Sequence, residues 1–214
     1  MTRHPLQCRC GTVRGHVVRP GAGTRVVCYC KDCQAYAHFL QQPDTILDPL
    51  GGTAIAATLP ALVHFSQGTG ALACMSLSGT GPLRWYAGCC NTPIGNTSRN
   101  AKLPYVGLVE RCLAAGPPTL QQSFGPVRAL LNTHSARSSV KATPLATVAA
   151  LVRILTPVAW ARLRGRYRDN PFFDAATGRP VAPVRELTRA ERAAVTDAAL
   201  AASSDGRARA GKEL

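Results

Sequence analysis

The sequence predicts an α+β protein in which a β-rich N-terminal domain is followed by a helical C-terminal extension. Up to about residue 115, short β-branched runs such as Thr24–Val27 and Tyr105–Val109 stand between glycines and prolines, which is typical of strands and turns. Further along, the chain is rich in Ala, Leu and Arg, and apolar residues recur at helical spacing. A chain of 214 residues is long enough for one substantial core, or for a domain with an extension.

The boundary between these halves is predicted near Gly116–Pro118, where the strand pattern breaks. The β-rich domain then covers residues 1–118, the basic helical extension covers 119–202, and a polar tail covering 203–214 is expected to be disordered. Helices are predicted at Val127–Asn132, Leu145–Leu155, Val158–Tyr167 and Arg189–Ala202.

Two local signals support the details of the extension. Thr188 followed by Glu191 is typical of a capping box, and it predicts the start of the last helix. Phe172 and Phe173 lie in a turn-rich segment, and we expect them to anchor the extension onto the N-terminal domain.

The chain is strongly basic, with 25 Lys and Arg against 11 Asp and Glu and a net charge of +14. From Pro126 to Arg168 there are eight basic residues and no acidic one. Residues 126–168 could therefore attract nucleic acid or an acidic membrane surface, although a solvated basic face is the commoner meaning of such a pattern and is favoured. RLRGRYR, near the end of this region, has only Tyr167 as an aromatic, which argues against a groove for single-stranded nucleic acid.

The N-terminal MTRHPLQCRC has no apolar run, so no secretory signal is expected. The most apolar stretch, Pro144–Leu163, is interrupted by Arg153 and Pro157, so no transmembrane segment is predicted either. A cytoplasmic location is the resulting expectation. In a reducing compartment, nine cysteines are expected to include metal ligands rather than to form a disulfide framework.

Three of the cysteines form a C-x-C-x-x-C motif at Cys28, Cys30 and Cys33. Such a loop can deliver three thiolates to one tetrahedral ion and leave the fourth position for water or substrate, which is typical of catalytic zinc. A second pair, Cys8 and Cys10, forms a C-x-C motif. Residues i and i+2 of a strand point to the same side, so this pair can also offer two thiolates to one ion. Reduced core cysteines without a metal are the alternative, and such short spacings argue against it.

Taken in order, the cysteine motifs carry a family resemblance. C-x-C-G-x-V-x-G begins at Cys8, C-x-C-x-x-C-Q begins at Cys28, and an aromatic segment ends in C-x-T-P at Cys90–Pro93. Over about residues 6 to 113 the sequence resembles the glutathione-dependent formaldehyde-activating enzyme family, also called the centromere protein V-type domain. The resemblance implies a β-tent fold with two zinc sites, and carbon–sulfur chemistry that joins formaldehyde to a small thiol such as glutathione.

The sequence departs from that family at its late motif, which typically reads C-x-x-C-G-T-P. Alignment on Thr92-Pro93 puts Cys90 at the second cysteine and Ala87 at the first, with Cys89 as an additional thiol. The first zinc could then be held by Cys8, Cys10 and Cys90 with Cys89 as a substitute, could have an open fourth position, or could be absent. Weakening or loss is favoured over a full four-thiolate site, so one zinc is expected and two are possible.

Other residues have structural explanations that compete with functional ones. Gln34, His38 and Arg84 are candidates for binding substrate beside the second zinc, although His38 is more simply a structural histidine and Arg84 a surface arginine. Cys74 and Cys112 lie in apolar runs and are expected to be core cysteines.

The leading functional prediction is a zinc-dependent carbon–sulfur lyase-like enzyme that acts on a thiol adduct such as S-hydroxymethylglutathione. The alternative is a non-enzymatic zinc-binding module, or a degenerate family member, whose basic helical half binds an acidic partner.

Overall fold

The structure is a computed structural model that describes residues 2–113, 116–141 and 143–210. The strands of this part are β1 (Arg3–Gln7), β2 (Arg14–Val18), β3 (Thr24–Cys28), β4 (Thr53–Thr58), β5 (Val63–Gln67), β6 (Leu72–Ser76), β7 (Leu83–Ala87), β8 (Thr92–Thr97), β9 (Val106–Val109), β10 (Val127–Leu131) and β11 (Val184–Glu186). The α-helices are α1 (Lys31–Phe39), α2 (Pro43–Ile46), α3 (Leu120–Phe124), α4 (Pro144–Leu163) and α5 (Arg189–Ala210).

The strands form two sheets. A small antiparallel sheet has the order β1-β2-β5, and a larger sheet of eight strands has the order β10-β3-β4-β9-β8-β7-β6-β11. The six central strands of the larger sheet are antiparallel to one another. At its two edges, β10 pairs in parallel with β3 and β11 pairs in parallel with β6. The α+β class is confirmed. Both edge strands come from the C-terminal part of the chain, so this part completes the sheet.

The core lies around Trp85, which is completely buried on β7. The ring of Phe172 lies 5.2 Å from the ring of Trp85, and the ring of Phe173 lies 6.2 Å from it. Both phenylalanines are buried, so the prediction that they anchor the C-terminal part is confirmed. Burying two phenylalanine side chains contributes roughly 3–6 kcal/mol, before the entropy of ordering the segment is subtracted.

One predicted helix is wrong. Val127–Asn132 was expected to be helical, but Val127–Leu131 forms β10, which pairs in parallel with β3. A run of five or six apolar residues is too short for helical periodicity to separate it from a strand. It is also too short for helix propagation to offset the unfavourable free energy of nucleation, so it pairs with the open edge of β3 instead.

The two helices predicted after β10 are one helix, which ends earlier than predicted. Leu145–Leu155 and Val158–Tyr167 were expected as two helices, but α4 continues through Pro157 to Leu163, and Gly165 follows with a φ of 70°. By length and composition, α4 is the one helix of the described residues that could cross a membrane.

The capping box that begins α5 is confirmed. The amide of Glu191 donates to the Thr188 hydroxyl over 3.2 Å, and the Thr188 amide donates to the Glu191 carboxylate over 2.9 Å. The helix runs to Ala210, past Ala202, where the sequence predicts its end. Of the tail expected to be disordered, residues 211–214 lie outside the described part of the chain.

Candidate metal centres

The C-x-C-x-x-C motif lies where β3 ends and α1 begins. Cys28 is the last residue of β3, Cys30 is the N-cap of α1, and Cys33 lies in its first turn. The amide of Cys33 donates to the carbonyl of Cys30 over 3.0 Å, and this turn brings the side chains to one side. The three sulfur atoms lie within 4.8 Å of one another, so they can hold a metal ion. Cys28 and Cys33 are buried and Cys30 is half-buried, so the cluster meets solvent at Cys30.

A buried arginine lies beside this three-thiol cluster. Nη1 of Arg84 on β7 lies 3.8 Å from the sulfur of Cys33, and Arg84 is only 3% exposed. The expectation that Arg84 is a surface residue is therefore wrong. Its Nε is buried and has no hydrogen-bond partner, and no ion pair joins Arg84 to a carboxylate among the described residues.

Burying a guanidinium is costly unless a negative charge lies near it. Because the sulfur of Cys33 lies 3.8 Å from Nη1, the position of Arg84 fits a deprotonated thiol in the cluster. This observation agrees with a metal site, since a metal ion binds cysteine as the thiolate.

Protonation within the three-thiol cluster is uneven. Hydrogen bonds from Cys30 and Cys33, together with one from Asn132, lower the pKa of Cys28 despite its burial. The hydrogen bonds with Cys28 and then Cys33, followed by burial and by repulsion between neighbouring negative charges, raise the pKa of Cys30. Three thiolates at this spacing repel one another and therefore need a cation among them.

Two residues near the cluster were not predicted from the sequence. Nδ2 of Asn132 donates to the sulfur of Cys28 over 3.4 Å, and Asn132 directly follows β10. Burial and then the neighbouring thiols of Cys33 and Cys28 raise the pKa of Tyr105 to about 12. No local pattern marks either residue. Asn132 was placed at the end of a helix, and only the parallel pairing of β10 with β3 brings it to Cys28.

A four-thiol cluster is formed by Cys8, Cys10, Cys89 and Cys90, whose sulfurs lie within 4.8 Å of one another. The sulfur of Cys10 lies 3.5 Å from that of Cys8 and 3.3 Å from that of Cys89, and Cys8 and Cys89 are 3.9 Å apart. Around a tetrahedral zinc with bonds of about 2.3 Å, sulfur atoms are about 3.8 Å apart. The four-thiol cluster can therefore hold a metal ion with little movement.

The turn after β7 explains how adjacent cysteines can both reach this cluster. The amides of Cys90 and Asn91 both donate to the carbonyl of Ala87, and Asn91 has a φ of 55°. Ala87 itself is completely buried and is paired with Thr92 across β7 and β8. The chain therefore reverses around residues 88–91, and this turn brings the thiol of Cys89 to those of Cys8 and Cys10.

Two thiols of the four-thiol cluster have lowered pKa values. Against the effect of burial, hydrogen bonds with Thr92 and with the backbone of Cys10 lower the pKa of Cys90. The hydroxyl and the amide of Thr12, and then the thiols of Cys89 and Cys8, lower the pKa of Cys10 to about 6. The pKa of Cys89 is raised to about 12, first by burial and then by the hydrogen bond with Cys10. As in the three-thiol cluster, protons are distributed among the neighbouring thiols unless a bound cation takes the place of those protons.

The three candidates for substrate binding are placed differently. Arg84 borders the three-thiol cluster. The amide nitrogen of Gln34 donates to the carbonyls of Tyr29 and Ser135, over 2.9 Å each, and so links α1 to the segment after β10. His38 lies five residues after Cys33 on α1, so its side chain leaves the helix about 140° around the axis from Cys33. The structure does not bring His38 to the cluster face of α1.

The remaining cysteines are in the core, as predicted. Cys74 and Cys112 are buried, and neither belongs to a group that could hold a metal among the described residues. The sulfur of Cys112 donates to the carbonyls of Val109 and Ile94.

Together, an α+β fold and two cysteine clusters that can hold metal ions define a candidate metalloprotein. The chain belongs to a family of unknown function, DUF6151, whose family model matches residues 1–185. The match spans both clusters, β10, α4 and Asn132, so it extends well beyond the residues that carry the resemblance to the formaldehyde-activating family. No curated protein matches the chain.

Proposed function

We propose that the three-thiol cluster is a catalytic zinc site and that the protein is a carbon–sulfur lyase-like enzyme for small thiol adducts. The observation that carries this proposal is a set of three convergent sulfurs beside a buried arginine without a carboxylate partner. Three protein ligands leave one coordination position for a substrate, which distinguishes a catalytic from a closed structural site. A zinc ion held by Cys28, Cys30 and Cys33 would supply a Lewis acid and lower the pKa of a thiol bound to it.

The residues around the cluster support this role. Asn132 orients the sulfur of Cys28, and Arg84 would balance the negative charge of a zinc-bound thiolate at Cys33. A small molecule approaches from the side of Cys30, the most exposed of the three cysteines. Lys31 follows Cys30 and is exposed, so it can pair with a carboxylate of a thiol such as glutathione.

The four-thiol cluster is proposed as a structural zinc site. The sequence favoured weakening or loss of this site. Four sulfurs that all lie within 4.8 Å of one another, with four of the six distances at 3.3–3.9 Å, support the four-thiolate alternative. A closed set of four thiolates leaves no position for substrate, so its contribution is to stability. With both sites filled, the protein carries two zinc ions on a fold that we assign to the β-tent type. A cytoplasmic location belongs to the same proposal, because all nine cysteines are free and a reducing compartment keeps them so.

The enzymatic proposal is tested by exchange NMR of formaldehyde with glutathione, or with another low-molecular-weight thiol. The wild-type protein should accelerate exchange, and Cys30→Ser should abolish the acceleration. Cys10→Ser is the matched control, since it removes one exposed thiol from the four-thiol cluster and leaves the three-thiol cluster intact. Equal exchange rates for wild type and Cys30→Ser would refute the lyase assignment.

The alternative is a zinc-binding module without catalysis, or a degenerate family member, whose basic C-terminal part binds an acidic partner. Eight basic residues without an acidic one between Pro126 and Arg168 favour it. Salt-sensitive binding to duplex DNA that is abolished by neutralising Arg162, Arg164, Arg166 and Arg168 would support nucleic acid as that partner.

A further inference from the structure

Helix α4 has apolar residues on two faces, and only one face is covered. The inner face carries Ala150, Val158 and Ala161, which are buried, and Ala150 packs with Val26 and Ala129 where α4 meets β3 and β10. The outer face carries large apolar side chains that are 41–86% exposed, namely Leu145, Val148, Leu151, Val152, Leu155, Trp160 and Leu163. Only 17% of the most apolar 18-residue window of α4 is buried, whereas a core helix is mostly buried.

The exposed side chains form one stripe with a charged border. Leu145, Val148, Val152 and Leu155 recur at intervals of three and four residues, so they lie on one side of the helix. At about 100° per residue, Arg153 falls on one edge of this stripe and Arg162 on the other. Long arginine side chains on both edges can keep their charges in water while the stripe is buried.

The C-terminal end of α4 is cationic and aromatic. Arg162 and Arg164 are followed by Arg166 and Arg168 in the next turn. The guanidinium of Arg164 lies over the exposed ring of Trp160, 4.2 Å from its centre. Tryptophan and arginine together are typical of side chains at the level of lipid headgroups.

We propose that the outer face of α4 is a docking surface for an anionic lipid bilayer. The helix lies in the plane of the interface, with its stripe in the acyl boundary and its arginines among the headgroups. Charge complementarity favours this occupant, because eight basic residues and no acidic one lie between Pro126 and Arg168. The packing of Ala150 against β3 and β10 favours a helix that lies on the membrane, since spanning would remove Ala150 from this contact.

A second copy of the chain fits this face less well. Self-association through the stripe would bring the arginines at its edges close to those of the partner, in a protein that already carries +14. Like charges that meet at an interface are unfavourable, whereas the same charges strengthen binding to acidic lipid.

The test measures binding of the full chain to sedimented vesicles of phosphatidylcholine alone and of phosphatidylcholine with phosphatidylserine. Binding is expected only to the anionic vesicles, with a blue shift of Trp160 emission, because Trp85 is already buried. Val152→Glu should weaken binding about tenfold, since it places a charge in the centre of the stripe. Arg153→Gln and Arg162→Gln should each weaken it about fivefold. Thermal unfolding of each variant shows whether its fold is intact. We expect all three variants to fold, because these side chains are exposed.

Several results would overturn the proposal. Unchanged vesicle binding by a folded Val152→Glu variant would show that charge alone causes the binding and that the apolar stripe does not enter the bilayer. A wild-type protein that is dimeric without lipid and is made monomeric by Val152→Glu would assign the stripe to self-association. Binding to duplex DNA without binding to anionic vesicles would assign the basic region to nucleic acid. Leu155→Gln, a milder change on the same stripe, provides the comparison if Val152→Glu does not fold.

Discussion

Nη1 of Arg84 lies 3.8 Å from the sulfur of Cys33, and both side chains are buried. These residues are 51 positions apart in the chain, and the pairing joins the three-thiol cluster at β3 and α1 to the opposite part of the sheet at β7. A buried cation needs a negative partner, and a cluster of thiolates around a metal ion needs its excess negative charge balanced. Each therefore explains the other.

The first prediction concerns this pairing. Arg84→Met keeps most of the side-chain volume and removes the charge, so the three thiolates of the proposed zinc site lose their compensation. Zinc affinity of the three-thiol cluster is expected to fall about 10–100-fold, measured by competition with a chromophoric chelator. Arg99→Met is the control, because Arg99 is partly exposed and pairs with Glu186 instead. An unchanged affinity in Arg84→Met would contradict a role for this arginine in holding the metal.

The second prediction concerns the adjacent cysteines. Cys89→Ser and Cys90→Ser should each release one zinc ion per chain in the presence of a moderate chelator, because each removes one of the four proposed ligands. Metal content by native mass spectrometry is the measurement. Cys74→Ala, which alters a buried cysteine outside both clusters, should retain the full metal content. If Cys89→Ser keeps all its zinc while Cys90→Ser loses one ion, Cys89 is not a ligand.

The third prediction concerns a nearly buried ion pair. Nε of Arg25 on β3 lies 2.6 Å from one carboxylate oxygen of Glu110, and Nη2 lies 2.9 Å from the other. The two side chains are only 12% and 11% exposed. Glu110→Gln leaves the charge of Arg25 without its partner, so the free energy of unfolding should fall by about 3–5 kcal/mol in denaturant titrations.

The control for this variant is Glu186→Gln. Glu186 pairs with Arg99, and the side chains of Glu186 and Arg99 are 49% and 31% exposed, respectively, so solvent screens the pair. A loss of at most about 1 kcal/mol is expected there. If both variants lose the same stability, burial of the Arg25–Glu110 pair does not matter.

The fourth prediction concerns the pH dependence of stability. The rings of His16 and His64 stack across β2 and β5 with 5.2 Å between their centres. Burial, then Arg3, then His64 lower the pKa of His16 below its ordinary value of 6.5. The unfolded chain therefore binds the proton more tightly, so this contribution to stability is full above about pH 6.5 and is lost as the pH falls below it.

The measurement is the melting temperature of metal-free protein on either side of that pH. His16→Gln should lose less on acidification than wild type, because it has no proton to take up on unfolding. His134→Gln, at an exposed position outside the stack, should behave as wild type does. An identical acid response of His16→Gln and wild type would exclude His16 as the cause.

The cysteine motifs show how far local sequence can predict a site. C-x-C and C-x-x-C spacings bring sulfurs together through one strand or one turn, so the three-thiol cluster of Cys28, Cys30 and Cys33 follows from the chain itself. The four-thiol cluster depends on a contact between the turn after β1 and the turn after β7. The spacing at Ala87 suggested a lost ligand, because sequence spacing does not show that the chain reverses at Asn91.

The C-terminal extension contains one element that the sequence predicted and one that it did not. A helix from Arg189 with its capping box could be predicted, because caps and helical periodicity are local. For Val127–Leu131 local preference is weak, and the open edge of β3 makes the segment a strand. Asn132 reaches Cys28 only as a result of that pairing.

By itself, then, the sequence determined the α+β class, the three-thiol cluster and the basic, apolar character of α4, since each depends on composition or on contacts within a few residues. The tertiary structure alone decided that Cys89 joins Cys8 and Cys10, that Arg84 is buried beside Cys33, and that the outer face of α4 stays uncovered. These depend on which distant segments meet, and the burial of a charge or an apolar face is settled only when the whole sheet has formed.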